Sequence, residues 1–262
     1  MIHLIQKDVF SAPHYEALIA VLDRLNLPHI VAKIKPGTRE LLWENDEPLT
    51  VGQSDVFCWG SVRLAHIAKD YGWTPGSLFN DNHDYRVYAE HYGEEMLNHD
   101  SRIIEFSQEF EPPSYIFFAR PCGDTKAFTG QCFIKASWEE FVKFNLANKS
   151  RPTLNESTAV QISSRKDIQR EFRTWIVQGK VVTASQYKLG SKVVHQRCTE
   201  PLVLEYAQRM ADVYCPAEAF VLDVCLANDE MKVVEVNCIN CAGFYDTDLV
   251  KLIGTLEEAF AT

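Results

Sequence analysis

The feature that most constrains this 262-residue chain is the segment 219–243, AFVLDVCLANDEMKVVEVNCINCAG. Two runs rich in β-branched residues flank the polar stretch 227–230, which predicts two short strands joined by a tight turn. Side chains alternate between the two faces of a strand, so Glu235 and Asn237 share one face. If the turn closes symmetrically, Asp223 lies within about one residue of facing Glu235 across the hairpin.

This hairpin predicts a site for a hard cation. Two facing carboxylates destabilise a sheet unless a positive charge lies between them. With Asn237 added, the side chains offer oxygen ligands only, and this set suits Mg²⁺ or Mn²⁺ with positions left for water or substrate phosphates. The alternative is a surface hairpin whose acids are simply hydrated, and the rest of the chain favours the metal site.

The overall composition narrows the classes of partner. The formal net charge of −10 at pH 7 argues against a general nucleic-acid binder and against binding to anionic membranes. The N-terminus lacks the basic start and apolar run of a signal peptide, and no apolar stretch approaches the roughly 20 residues that span a bilayer. Eight scattered cysteines are interpreted as reduced thiols. We therefore predict a cytoplasmic protein without nucleic-acid or membrane partners.

The hydrophobic pattern divides the chain into two parts. Residues 1–110 alternate short strands with helices, a rhythm typical of a small parallel sheet with packed helices. Consecutive prolines in EFEPP, residues 109–113, interrupt helix and sheet alike and mark the best linker candidate. Residues 111–262 read as antiparallel strands with helices. The prediction is an α/β N-terminal domain at 1–110 and an α+β domain at 111–262.

A second group of polar residues lies on another predicted hairpin, whose strands flank the turn Gln178-Gly179. By period two, Glu171 and Arg173 share a face of the first strand, while Gln186 and Lys188 share a face near the end of the second. The start of one strand and the end of the other are neighbours in a hairpin. We therefore expect Arg173 and Lys188 to converge with Glu171.

Two further cations belong with this group. Arg120 ends a predicted strand, and Lys126 follows in the glycine-containing loop 122–130. Cations around an acidic metal pair are what a triphosphate needs, because Mg²⁺ bridges the phosphates and Arg or Lys neutralises the remaining oxygens. Taken alone, Glu171 and Arg173 could equally form an ordinary cross-strand ion pair on a hydrated face.

The order of these motifs resembles the ATP-grasp superfamily, over about residues 111–262. A strand ending in a cation and proline, a glycine loop, a strand and a helix precede the E-x-R hairpin and the late D…E-x-N pair. The chain looks most like the clade in which conserved lysine and arginine positions are exchanged. The stretches that carry this resemblance are FCWGS, WTPGSLF, FFARP with DTKAFTGQ, EFRTWIVQGKVVTASQYK and EVNCINCAGFY.

The resemblance implies how a nucleotide would be held. Arg120 stands where most members have a phosphate-binding lysine, and Lys126 lies in the loop over the phosphates. The backbone of Gln161, Ile162 and Ser163 corresponds to the hinge that hydrogen-bonds adenine.

The same resemblance assigns the remaining site residues. Glu171 matches the acid that often binds the ribose hydroxyls. Arg173 and Lys188 would contact phosphates or an acyl-phosphate intermediate, with Lys188 replacing a more usual arginine. The Mg²⁺ ligands would be the three oxygen donors of the late hairpin, namely Asp223, Glu235 and Asn237.

The implied activity is that of an ATP- and Mg²⁺-dependent carboxylate–amine ligase acting on small-molecule or peptide substrates. ATP would phosphorylate a carboxylate, and an amine would displace the phosphate to form an amide. Two alternatives stay open, an ATP-dependent kinase on the same scaffold and a non-catalytic nucleotide-binding module. Beyond the metal strand, Asn240, Gly243, Phe244 and Tyr245 could line the acceptor pocket, although Phe244 and Tyr245 could equally belong to the core.

Overall fold

The computed structural model of the protein describes residues 1–7, 9–125, 127–148 and 153–261. Its helices and strands follow in chain order: β1 Ile2–Gln6, α1 Ala12–Arg24, β2 His29–Ile34, β3 Leu41–Leu42, β4 Asp55–Trp59, α2 Val62–Tyr71, β5 Thr74–Gly76, α3 Tyr85–Tyr92, β6 Arg102–Glu105, β7 Phe117–Pro121, β8 Gln131–Phe133, α4 Lys135–Asn148, β9 Ala159–Ser164, β10 Arg170–Val177, β11 Lys180–Leu189, β12 Lys192–Cys198, α5 Pro201–Val213, β13 Ala219–Ala227, β14 Glu230–Cys238 and α6 Leu249–Phe260. They form three sheets with helices packed on them.

The first sheet has the strand order β3-β2-β1-β4-β5. β1 pairs in parallel with β2 and β4, and β4 pairs in parallel with β5, whereas β3 is antiparallel to β2. Parallel neighbours need a crossover connection, and α1 and α2 provide two of them. The N-terminal part therefore has the predicted α/β architecture.

The second sheet is antiparallel and small, with the order β6-β9-β7-β8. Helix α4 covers one face of it through Trp138, which packs edge-on against Phe117, Phe133 and Phe106. These aromatic side chains belong to the core of this sheet, together with aliphatic residues of β6, β7 and β9. β6 lies before the predicted division at residues 110 and 111, so the sheet draws strands from both sides of that division.

The third sheet is also antiparallel and has the order β12-β11-β10-β13-β14. One of its faces packs against α3 and α5, with Phe172 and Ile176 of β10 buried between them. The other face packs against α6 and the first sheet, where Trp175 and Val221 share a core with Phe57. The two antiparallel sheets with their helices form the predicted α+β arrangement.

Residues 165–169 connect β9 to β10 and thus join the second sheet to the third. The segment is too short to separate the sheets widely, so their facing surfaces enclose a cleft. None of the helices in the described residues combines the length and the apolar character needed to cross a membrane.

Candidate functional site

The strands β13 and β14 form the hairpin expected from the sequence. Asn228 and Asp229 connect them, both with positive φ, the conformation that suits a two-residue hairpin turn. Asp223 is directly opposite Glu235 in the register. The amide nitrogen of Asn237 lies 3.4 Å from Oδ2 of Asp223, so the three predicted metal ligands are brought together on one face.

Asp223 has an arginine partner from the neighbouring strand. β10 pairs with β13 so that Arg173 faces Asp223. Nε donates to Oδ1 at 2.9 Å and Nη2 donates to Oδ2 at 2.7 Å, while Nη1 donates to the carbonyl of Gly243 at 3.1 Å. Each guanidinium nitrogen therefore has a fixed acceptor, and the side chain is held in one orientation.

This ion pair is buried, which changes the electrostatics of both groups. Asp223 is 0% exposed and Arg173 is 7% exposed. Burial raises the pKa of Asp223 to about 6; Arg173 opposes this shift and the charge of Glu235 adds to it. Burial alone would lower the pKa of Arg173, but Asp223 holds it well above its ordinary value. The two groups thus form a fixed, buried ion pair, and the low local dielectric strengthens the attraction between them.

Glu235 has a different partner, which comes from the second sheet. Arg120 on β7 forms an ion pair with it across the cleft. Burial would lower the pKa of Arg120, but the facing carboxylate of Glu235 raises it overall. Each of the two facing carboxylates therefore has its own arginine, and these cations offset the repulsion expected between Asp223 and Glu235.

Glu171 accepts hydrogen bonds from two consecutive residues of β11. Lys188 Nζ donates to Oε1 at 2.9 Å and the hydroxyl of Tyr187 donates to Oε2 at 2.7 Å. The register between β10 and β11 shifts near Glu171, because β11 carries a bulge between Gln186 and Lys188. The bulge brings Tyr187 and Lys188 to the same acceptor, whereas a regular strand would separate them. Lys188 and Glu171 converge as expected, but Arg173 pairs with Asp223 instead.

The bulge also corrects the expectation that Gln186 and Lys188 share a face. The Oε1 of Gln186 accepts from Nε and Nη2 of Arg170, at 3.2 and 2.6 Å. Gln186 is buried there, and it contributes nothing to the cleft. One extra residue in a strand shifts every later side chain by one position, which reverses the face.

A cavity of about 560 Å³ lies in the cleft between the second and third sheets. Part of its lining is apolar, from Phe118, Phe128, Leu97, Ile168 and Val234, and part is charged. The charged lining consists of the residues just described, Arg120, Glu171, Arg173, Lys188, Asp223 and Glu235. The apolar and charged sides together can take a ligand that has one flat apolar part and one anionic part.

The predicted phosphate loop borders this cavity through Gly123 and Gly130. A Cβ on Gly130 would lie 2.8 Å from the Phe118 ring and 3.0 Å from the Cβ of Arg120, so only glycine allows the loop to approach β7 this closely. Asp124 anchors the loop, because its Oδ2 accepts from the backbone N–H of Cys238 at 3.0 Å. The predicted loop cation, Lys126, lies outside the described residues.

The predicted adenine contact at Gln161, Ile162 and Ser163 requires correction. β9 is an interior strand, in which Gln161 and Ile162 pair with β6 on one side and with β7 on the other, while Ser163 pairs with β7. All three are buried, and none is among the described residues that line the cavity. At Gln161 and Ile162 the backbone is engaged in two ladders and has no group left for a ligand.

The connection that follows β9 is better placed for this contact. Lys166 and Ile168 line the cavity, and Lys166 is held by Asp100, with Nζ 2.9 Å from Oδ2. Within the described part of the chain, no backbone hydrogen bond engages residues 165–168. Since β6 covers the outer edge of β9, Lys166 and Ile168 border the cavity in place of residues 161–163.

The structure also separates the four residues considered for an acceptor pocket. Phe244 is 1% exposed and belongs to the core shared with the first sheet. Asn240 is structural, since its side chain bonds the carbonyl of Cys58 at 2.6 Å and the N–H of Leu78 at 2.8 Å. Tyr245 lines the cavity, and Gly243 holds Arg173 through its carbonyl.

The oxygen donors fit a divalent cation. In the described residues no three or more His, Cys, Asp or Glu side chains form a metal cluster, but Mg²⁺ in phosphate-transfer sites needs only one or two carboxylates and takes its other ligands from water and phosphates. Asp223, Glu235 and Asn237 supply two carboxylates and an amide from one face of a hairpin. A cation bound there would share both carboxylates with Arg173 and Arg120.

The sequence matches one family model over most of its length. That model describes the ATP-grasp domain of the clade with exchanged arginine and lysine positions, family 3, and it matches residues 67–256. No curated protein matches the sequence.

Several solved structures are similar to the chain. D-cycloserine synthetase DcsG has 12% sequence identity and a TM-score of 0.61, over 98% of this chain and 99% of that one. D-alanine–D-alanine ligase from Bacillus anthracis has 11% identity and a TM-score of 0.62, over 98% and 96% of the two chains. The same ligase complexed with ATP has 13% identity and a TM-score of 0.57, again over 98% and 96%. At these identities the likeness concerns the fold.

Proposed function

The chain belongs to the ATP-grasp superfamily, in family 3 of the clade with exchanged arginine and lysine positions, and we propose that it is an ATP- and Mg²⁺-dependent carboxylate–amine ligase that acts through an acyl phosphate. One observation carries the proposal. Two carboxylates and two arginines from different sheets converge in a cavity of about 560 Å³ that also has an apolar wall. Such a site positions anionic groups and stabilises developing charge.

The nucleotide would span the cavity from its apolar to its charged lining. Adenine would lie against Ile168 and Val234, with its hydrogen bonds made to the backbone of residues 165–168. The ribose hydroxyls would donate to Glu171, whose carboxylate oxygens keep free lone pairs beside Lys188 and Tyr187. The phosphates would then reach Arg120 and the loop at Gly130.

The reacting groups would lie beside the buried Arg173. When bound, Mg²⁺ neutralises phosphate charge and polarises the transferred group, and Asp223, Glu235 and Asn237 would hold it. Arg173 keeps a fixed guanidinium at this point because Asp223 and Gly243 orient it. It would stabilise the oxygens of the carboxylate as the phosphoryl group is transferred. Lys188, more exposed, would neutralise the outer phosphate oxygens.

The substrates in this proposal are a small-molecule or peptide carboxylate and an amine. The solved structures that share the fold include a D-alanine–D-alanine ligase and a D-cycloserine synthetase, which agrees with a reaction on small molecules. All eight cysteines are free thiols, and we place the reaction in the cytoplasm, where thiols stay reduced and ATP is abundant.

The products decide between the ligase and its alternatives. The purified protein is incubated with Mg²⁺–ATP and a panel of amino acids, short dicarboxylic acids and small amines, and products are identified by mass spectrometry. We expect ADP, phosphate and an amide in equal amounts. A stable phosphorylated product would instead assign a kinase, and nucleotide binding without turnover would assign a binding module.

ATP should raise the melting temperature far more with Mg²⁺ than without it. Saturation at about 100 times the dissociation constant adds roughly 2.7 kcal/mol, which corresponds to about 5–10 °C in a chain of this size. Thermal melting with ATP in Mg²⁺, and with ATP in excess chelator, makes the comparison. Equal shifts in the two buffers would contradict a metal site at Asp223 and Glu235.

Arg120→Lys should weaken ATP binding by about tenfold, or about 1.4 kcal/mol, although the charge is conserved. A guanidinium can donate two parallel N–H bonds to phosphate oxygens, and one ammonium cannot reproduce them. Titration calorimetry with Mg²⁺–ATP measures the change. Arg102→Lys, at an exposed position on β6 of the same sheet, is the matched control and should bind as the wild type does. An unchanged affinity of Arg120→Lys for ATP would mean that Arg120 does not bind the phosphates through two parallel hydrogen bonds.

A further inference from the structure

Four aromatic rings form a continuous group beside Arg173. Tyr187 stacks on Tyr245 with a centroid distance of 5.0 Å. His195 of β12 lies 5.1 Å from the Tyr245 ring, and His14 of α1 meets it edge-on at 5.9 Å. Tyr187 and Tyr245 line the cavity. Both histidines therefore contact Tyr245 of the cavity wall, although neither is among the described residues that line the cavity itself.

His14 packs against Gly243, whose carbonyl holds Arg173. A Cβ built on Gly243 would lie 3.4 Å from the His14 ring and 3.9 Å from Nη1 of Arg173. The ring is half-buried, and in the residues that the structure describes it makes no hydrogen bond. His14 thus presents a nitrogen beside the guanidinium that would bind the acyl phosphate.

We propose that the amine substrate enters at these four rings, hereafter the ring cluster, and that His14 accepts the proton of its ammonium group. The inference deepens the proposed function and rests on it. It assigns a proton acceptor from the N-terminal part of the chain to a reaction whose other groups belong to the two antiparallel sheets.

The chemistry requires such an acceptor. A primary amine is an ammonium ion at neutral pH and has no lone pair for attack. His14 takes one proton from it, and the freed nitrogen forms the C–N bond to the acyl carbon. The C–O bond to phosphate breaks, and phosphate leaves with the electron pair. The second proton of the nitrogen goes to the departing phosphate or to solvent, and His14 later returns its own proton to solvent.

The surroundings favour an ammonium over a carboxylate at the ring cluster. The charge of Arg173 is partly offset by Asp223 in a two-point ion pair, which weakens its repulsion of an ammonium group. The faces of Tyr187 and Tyr245 attract a cation, as the stacking of Arg173 over Tyr245 at 4.9 Å illustrates. A neutral imidazole beside them completes a site for an amine.

The charge state of His14 agrees with this role. Burial lowers the pKa of His14, and the charges of His195 and Arg173 lower it further. The groups that face it are His195 from β12, Arg173 from β10 and Tyr245 from the segment after β14. The imidazole is therefore neutral at pH 7 and ready to accept a proton.

Hydroxylamine separates proton transfer from the rest of the reaction. It is largely unprotonated at neutral pH, so it attacks an acyl phosphate without a base and gives a hydroxamate. The experiment compares hydroxamate formation with amide formation, using the full chain, Mg²⁺–ATP, the carboxylate that the wild type accepts and an amino acid as amine. His14→Gln is the test variant. His66→Gln, an exposed histidine on α2, is the control.

We expect His14→Gln to lose amide formation by about a hundredfold, the usual size of a general-base contribution, with hydroxamate formation within about threefold of wild type. Added imidazole should restore part of the amide rate in His14→Ala, which a structural role would not allow. Equal loss of both products would assign a structural role and overturn the inference, as would amide formation that His14→Gln leaves intact. If the wild type makes neither product with any carboxylate, the proposed function fails instead.

Discussion

Arg173→Gln should lower the free energy of unfolding by about 3–5 kcal/mol, the range measured when one partner of a buried ion pair is removed. The reason is that Asp223 has no contact with solvent and is held by two charge-assisted hydrogen bonds from Arg173. Gln cannot supply the missing charge. Ligase turnover should be lost as well, because the same guanidinium is proposed to bind the reacting carboxylate. Urea unfolding at pH 7.5 measures the first effect, and ADP release measures the second.

The stability deficit of this variant should depend on pH. The pKa of Asp223 is about 6 in the folded wild type, above its value of roughly 3.9 in an unfolded chain. A raised folded pKa means that the stability contributed by this group is present at low pH and is lost as pH rises through the folded pKa. Without Arg173 the folded pKa rises further. The free energy of unfolding of the variant should therefore be closest to that of the wild type near pH 5, and it should be clearly lower than that of the wild type at pH 8.

Two controls isolate the buried charge as the cause. Asp223→Asn added to Arg173→Gln removes the unpaired carboxylate and should recover much of the lost stability. Arg197→Gln alters an exposed arginine on β12 of the same sheet, whose partner Asp248 is partly exposed, and it should cost no more than about 1 kcal/mol. A deficit that is equally large at pH 5 and pH 8 would contradict the explanation.

Features set by local rules could be predicted from the sequence. The hairpin of β13 and β14 follows from alternation and from a turn whose Asn228 and Asp229 accept positive φ. Because register in a hairpin is fixed by its turn, the approach of Asp223 to within one residue of Glu235 could also be derived. A register shift between Asp223 and Val224, which the turn does not determine, brings the two carboxylates directly opposite. The family resemblance was confirmed over residues 67–256, and with it the fold class.

Features set by long-range pairing could not be predicted in the same way. β10 and β13 are separated by about forty residues of chain, and only their pairing reveals that Arg173 belongs to Asp223. The ion pair of Arg120 with Glu235 joins two different sheets. Gln161 and Ile162 are kept from the cavity by β6, which covers β9 from the other side of the predicted linker. In each case the missing information is which element lies beside which.

Single-residue irregularities were the other source of error. The two-residue period of a strand places Gln186 and Lys188 on one face. The bulge in β11 instead lets Tyr187 and Lys188 both donate to Glu171, and it turns Gln186 toward Arg170. The stretch SQYKL contains no glycine, the residue that marks one common type of bulge. The participation of Tyr187 could therefore not be derived from alternation.

Glu235→Gln should abolish turnover, by at least about a hundredfold, and remove the effect of Mg²⁺ on ATP binding. The charge of one proposed metal ligand is lost, together with the phosphate neutralisation that the metal provides. If Asp223 and Glu235 were the only charges present, removing one of them would relieve their repulsion and make the folded protein more stable. The ion pair with Arg120 predicts the opposite, a melting temperature lower by several degrees, because a mostly buried guanidinium loses its partner.

The freed Arg120 makes the prediction specific to this site. In the wild type Glu235 forms an ion pair with Arg120 until a metal ion binds the carboxylate. ATP without Mg²⁺ therefore has to compete with Glu235 for the guanidinium. In Glu235→Gln that competition is gone, and ATP in excess chelator should raise the melting temperature more than it does in the wild type, with no further gain from Mg²⁺. Glu230→Gln, an exposed acid on the same strand whose neighbour is Lys232, should behave as the wild type in every condition. If Glu235→Gln keeps a Mg²⁺-dependent shift, Glu235 is not a metal ligand, and Asp223 with Asn237 must hold the ion without it.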